Sequence, residues 1–144
     1  MSNPLSDLFN AQVEAEKALL GALIIDAEQI KKINTKPEEF RLVRHRWIFE
    51  AMHEACSSDT WEHIYLCTID ILESRGKLKE IGGPSYLTGL IAYCDDSQRA
   101  PQYAYTVREF AMKKSLFDKA NDLIKAAFSL DEPIPDDMKR MFFG

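Results

Sequence analysis

The sequence holds 144 residues, 46% of them hydrophobic, with a net charge of −5 and a pI near 5.2. That is too apolar for a disordered chain, and long enough for one compact domain with an appended element. The acidic balance excludes a chain-wide phosphate-wrapping surface and leaves only local basic patches to consider.

In chain order, "MSNPLSDLF" lacks a basic start and a long apolar run, so it does not read as a targeting segment. Asn10 is placed to cap a helix through "AQVEAEKALLGALII". Val13, Leu20, Leu23 and Ile24 share one face there, with Glu14, Glu16 and Lys17 mostly opposite. The longest apolar run, "ALLGALII" (Ala18 to Ile25), is too short to span a bilayer, and the chain is expected to be soluble and cytoplasmic. Asp26 and Gln29 resemble a capping box that opens a short helix, and Thr35 and Glu38 repeat the signature.

A third helix is predicted from about Val43 to Ala55, with Trp47, Ile48, Ala51, Met52 and Ala55 as its stripe. Ser57-Ser58-Asp59 is a polar break. "HIYLCTI", the one β-like run, reads as a linker into a helix holding "TIDILESR". Gly76 stops that helix. Leu78 and Ile81 are apolar points in a polar connector, and Gly82-Gly83-Pro84 reads as a turn feeding a helix with proline in its first turn. Leu87, Leu90 and Ile91 point inward on that helix. "CDDSQRAP" is a loop.

The longest pattern follows, from about Gln102 to Phe128, without glycine or proline. A helix of ~27 residues extends ~40 Å, more than the width of a small bundle. Part of its apolar stripe must therefore meet another surface. The expected interface is Tyr103, Val107, Phe110, Lys114, Phe117, Ile124 and Phe128. "SLDEPIPDD" ends the helix with two prolines, and "MKRMFFG" reads as a short returning helix. The fold class is all-α: a small helical bundle over 1–100, then a long helix and a curtailed hairpin arm over 101–144.

Catalytic chemistry is sparse. "GKLKEIGG" lacks the spacing and the Gly-Lys-Ser/Thr ending of a phosphate loop. No nucleophile elbow or acid–histidine–nucleophile order is readable. His53, Cys56, His63 and Cys67 are zinc-ligand types, but in the wrong order for a finger. They read instead as two small apolar side chains at helix ends and two solvated histidines. The three cysteines, Cys56, Cys67 and Cys94, read as reduced thiols. Asp95-Asp96 reads as turn capping, not a catalytic pair. Arg44, His45 and Arg46 form a small basic cluster that reads as a solvated helix face, with nucleic-acid contact as the alternative. Lys113-Lys114 and Lys139-Arg140 carry the same two readings. No cofactor or metal is expected.

Four segments occur in a fixed order: "EAEKALLGALIID" (Glu14 to Asp26), "FRLVRHRWIFEAM" (Phe40 to Met52), "LESRGKLKEIGGPSYLTGLI" (Leu72 to Ile91) and "YAYTVREFAMKKSL" (Tyr103 to Leu116). Together they resemble the N-terminal domain of DnaB-type replicative DNA helicases of bacteria and phages, over roughly Glu14 to Phe128. The resemblance implies a bundle whose glycine connector tucks its apolar residues underneath, and a long helix that is the first arm of a hairpin. It also implies a non-catalytic domain that self-associates into dimers and a hexamer collar, and that contacts primase or a loader. The motor and its nucleotide site lie further along the family's chain.

Two departures stand out. The family usually has an Asp near Tyr65, and the second hairpin arm is short here. Two other readings therefore remain. One is a standalone phage or mobile-element protein that keeps the collar fold and binds a host helicase or primase. The other is a small metal-dependent enzyme using His53, Cys56, His63 and Cys67.

Overall fold

The computed structural model describes residues 3–57 and 63–144; the polar break at Ser58-Asp59 lies outside the described residues. Among them, regular structure is helical throughout, as the missing period-two alternation predicts. Helix α1 (Pro4–Ile25) starts seven residues earlier than its sequence signal suggests. Asn3, not Asn10, is the cap, and its side-chain oxygen accepts from Leu5 N–H at 3.0 Å. Proline in the first turn fits a position that needs no N–H donor. Asp26 then caps a 3-10 turn over Ala27–Lys32, accepting from Glu28 N–H at 3.2 Å and from the Gln29 amide at 3.0 Å. The next cap falls one residue later than expected: the Glu39 carboxylate accepts from Lys36 N–H at 3.1 Å.

Helix α2 (Val43–Ser57) buries Ile48, Phe49, Ala51, Met52 and Ala55. Helix α3 (Ile64–Ser74) takes in most of "HIYLCTI", so that run is helix and not linker. Its apolar and β-branched side chains are tolerated because Ile64, Thr68 and Leu72, one turn apart, pack inward.

The glycine connector is a packed element. Lys77 N–H reaches back to Leu72 O at 2.8 Å and closes the end of α3. A single turn, α4 (Leu78–Ile81), buries Ile81 completely, while the Lys77 ammonium lies 4.3 Å from the Trp47 ring centroid. Gly82 (φ +108°) and Gly83 (φ +77°) then reverse the chain into α5 (Pro84–Leu90). Positive φ at both positions is a conformation that a Cβ disfavours. Ile91 is a correction: α5 ends at Leu90, the chain tightens to a 3-10 turn over Ile91–Tyr93, and Ile91 turns outward. The tighter winding shifts the residues after Leu90 off the α-helical face.

Asp96 caps the next 3-10 turn by accepting from Gln98 N–H at 3.0 Å, and helix α6 (Ala100–Phe128) follows. Helix α7 (Asp136–Phe143) comes after a segment with two prolines. The chain divides into two compact units, Met1–Ala111 and Met112–Gly144, with the division inside α6 and not at its start. The physical reason is burial: Ala100, Ala104 and Val107, on the first turns of α6, belong to the core of the first unit. That core is built on Leu19, Leu20, Leu23, Phe40, Ile48, Phe49, Leu72, Leu87 and Leu90. Trp47 and Ile24 pack at its edge.

Candidate functional site

Two features stand out. The first is a buried polar chain inside the bundle. Glu16 is fully buried, which corrects its expected outward position. Its carboxylate accepts from Arg41 N–H at 2.7 Å, Leu42 N–H at 3.5 Å and His45 Nδ1 at 2.7 Å. A carboxylate has only acceptors, so Nδ1 carries a proton, and in the neutral ring Nε2 accepts from the Tyr86 hydroxyl at 2.6 Å. His45, expected at a solvated face, is wholly buried; only its neighbours Arg44 and Arg46 are outside the core. The chain ties α1, the segment before α2, α2 itself and α5. Burial raises the Tyr86 phenol pKa above its usual value, opposed by the Arg44 guanidinium. A raised phenol makes a poorer nucleophile, and the arrangement has the character of a tie between helices rather than of a reacting centre.

The second feature is the outer face of the second unit. In the part of α6 from Met112 onward no side chain is buried. Leu116, Phe117, Ile124 and Phe128 are 71%, 43%, 56% and 82% exposed. Phe117 and Ile124 are seven residues apart, and Phe128 is four further on, so they lie along one side of the helix. Lys114, three residues before Phe117, flanks the stripe and pairs with Asp118 at 2.8 Å. The last turns of α6 and α7 form an apolar groove lined by Leu123, Ala127, Ile134, Met138, Phe142 and Phe143.

Of the other residues expected on the interface, Tyr103 is half-buried under the Arg99 guanidinium and Phe110 is half-buried. Val107 is a correction: it has no exposure and packs in the first unit's core. The four zinc-type residues are also separated in role. Cys56 is buried, Cys67 is half-buried, and His53 and His63 are exposed. Burial pushes the Cys56 thiol up to about 11, with the Lys31 charge opposing. Among the described residues, no group of three or more His, Cys, Asp or Glu side chains is arranged to hold a metal ion. No helix among them is long and apolar enough to cross a membrane.

Fold and surfaces together define an all-α bundle domain with an exposed, apolar helical extension. The chain belongs to the family of DnaB-like helicase N-terminal domains, whose profile matches residues 9–109. It is similar to the replicative DNA helicase DnaB of Geobacillus stearothermophilus, 29% identical over 138 residues that cover 90% of this chain and 30% of that protein. The DnaB of Buchnera aphidicola subsp. Baizongia pistaciae is 34% identical over 119 residues, covering 81% of this chain and 25% of that protein. The chain thus spans about a quarter to a third of the length of these relatives, and the matched part is the N-terminal domain without the ATPase motor. In fold it matches the crystal structure of the N-terminal domain of DnaB helicase from Mycobacterium tuberculosis, with a TM-score of 0.78 at 22% identity, covering 89% of this chain and 91% of that one.

Proposed function

We propose that this domain works by protein–protein contact in DNA replication, self-associating as part of a helicase collar and presenting that collar to primase, helicase or a loader. The observation that carries the reading is the exposed stripe of Phe117, Ile124 and Phe128 on α6. An apolar stripe of that length left in water is costly and marks a contact surface. Tyr103, Phe110 and Lys114 border it in the proposed interface, and the buried Val107 supports the helix from within the bundle.

The test is the double variant Phe117→Asp/Ile124→Asp, followed by light scattering and circular dichroism. Two charges placed in an apolar contact should dissociate it, while the helical signal persists because the bundle core lies elsewhere. Global unfolding would assign both residues to a core instead. A wild type that stays monomeric at high concentration and binds neither helicase nor primase would sink the reading.

A further inference from the structure

In the first unit Arg41, Arg44 and Lys17, like Arg99, sit on aromatic rings and pair with no acid among the described residues. The Arg41 guanidinium lies 4.8 Å from the Phe9 ring centroid, Arg44 5.1 Å from Tyr86, and the Lys17 ammonium 4.6 Å from Tyr93. None of the three is salt-bridged to a carboxylate among the described residues, in a chain where acids outnumber bases by 23 to 18. The three pairs border the same buried Glu16, and Glu16, Arg44 and Tyr93 all lie within electrostatic range of the Tyr86 hydroxyl. Arg41 gives its N–H to Glu16, Tyr86 reaches Glu16 through His45, and Lys17 follows Glu16 on α1. Phe9, Val13 and Lys17 succeed one another four residues apart, so the half-buried Val13 adds an apolar floor between the cations.

We propose that this patch docks an acidic linear peptide segment of a partner protein, with carboxylates on Arg41, Arg44 and Lys17 and an apolar side chain over Val13. A guanidinium held against an aromatic ring is partly ordered before a carboxylate arrives, so less ordering cost remains for binding. Nucleic acid fits less well. Bases need open ring faces, whereas a cation lies over a face of each ring here. The patch belongs to the first compact unit and the Phe117 and Ile124 stripe to the second, so the two surfaces are tested by separate variants.

The experiment titrates the full chain into a fluorescein-labelled peptide of repeated Asp-Glu-Leu and reads anisotropy at low and raised salt. Saturable binding that weakens with salt is expected, with no binding of the matching Asn-Gln-Leu peptide. Arg41→Gln/Arg44→Gln should weaken binding roughly three- to tenfold, a typical range for losing two exposed ion pairs. Arg41→Lys/Arg44→Lys should fall between, because it keeps the charge and loses the fork. Lys17→Gln is the second, independent variant and should also weaken binding. Thermal melts check that each variant folds; Arg41 keeps its backbone bond to Glu16 in all of them. The Phe117→Asp/Ile124→Asp variant should bind the peptide as the wild type does. The proposal is overturned by absence of binding, by binding that the arginine variants leave unchanged, or by loss in the Phe117 and Ile124 variant. Tighter binding of an oligothymidine strand at the same residues would overturn it in favour of single-stranded nucleic acid.

Discussion

Gly21 sits where α1 meets the end of α5, and the structure gives Gly21→Ala a definite sign. A Cβ at this position would lie 3.0 Å from the carbonyl carbon of Leu90, nearer still to its oxygen, and 3.3 Å from Cys94 Cβ. The obstacle is mainly backbone, so no side-chain rotation relieves it. The two helices must separate, and the contacts of Leu19, Leu20 and Leu23 with the core around Leu87 and Leu90 loosen. Overpacking of this kind costs about 1–3 kcal/mol, and a backbone obstacle puts it near the top of that range. Alanine recovers about 1 kcal/mol of helix propensity. The net loss is about 2 kcal/mol, which at roughly 4 °C per kcal/mol lowers the Tm by about 8 °C. Gly89, on α5, is the matched control. Nothing lies within 4 Å of a Cβ there, so Gly89→Ala keeps only the propensity gain and raises the Tm by up to about 4 °C. Thermal circular dichroism of the two variants beside the wild type decides it. A Gly21→Ala protein as stable as Gly89→Ala would refute the close crossing of α1 and α5.

At Gly83, φ is +77° with open space around a Cβ, so Gly83→Val is strained by conformation alone; about 1–3 kcal/mol is expected, read as a Tm lower by several degrees. Glu16→Leu removes the shared acceptor of His45 Nδ1 and two backbone N–H groups and should cost about 3–5 kcal/mol in urea denaturation, with Glu16→Gln milder; a change below about 1 kcal/mol would mean the groups find other partners. Cys56 ionises at about 11 when folded against 9.0 as a free thiol, so between those values the unfolded state has released a proton that the folded state retains. Stability should therefore fall as pH rises from about 9 to 11, and Cys56→Ala should flatten that slope.

The helical register of the bundle was readable because α2 and α5 repeat their apolar residues at threes and fours, and the connector was readable because two glycines and a proline mark a reversal. What sequence periodicity misplaced has a common cause. Glu16 and His45 were assigned to solvent because a charged residue on a helix is ordinarily outside, yet they satisfy each other across 29 residues of chain. No local spacing reports a partner that distant. Val107 was placed on an interface because its stripe is continuous with Phe117; burial changes partway along α6 while the periodicity does not. Phe40 and Phe49, both in the core and 5.2 Å apart between ring centroids, were also missed, Phe40 because it lies outside any helix. The exposed stripe on the far part of α6 was legible from helix length alone.

The Glu16 carboxylate also gives the fold an internal clock. The Arg41 amide belongs to no helix, and an amide in such a segment ordinarily exchanges its hydrogen with water through small local motions. Here it donates to a carboxylate on α1, 25 residues earlier in the chain and wholly buried. Its bond to α1 has to break before that proton exchanges. A proton outside any helix is therefore expected to exchange more slowly than its neighbours in the same segment, and its rate reports the parting of α1 from the segment that leads into α2.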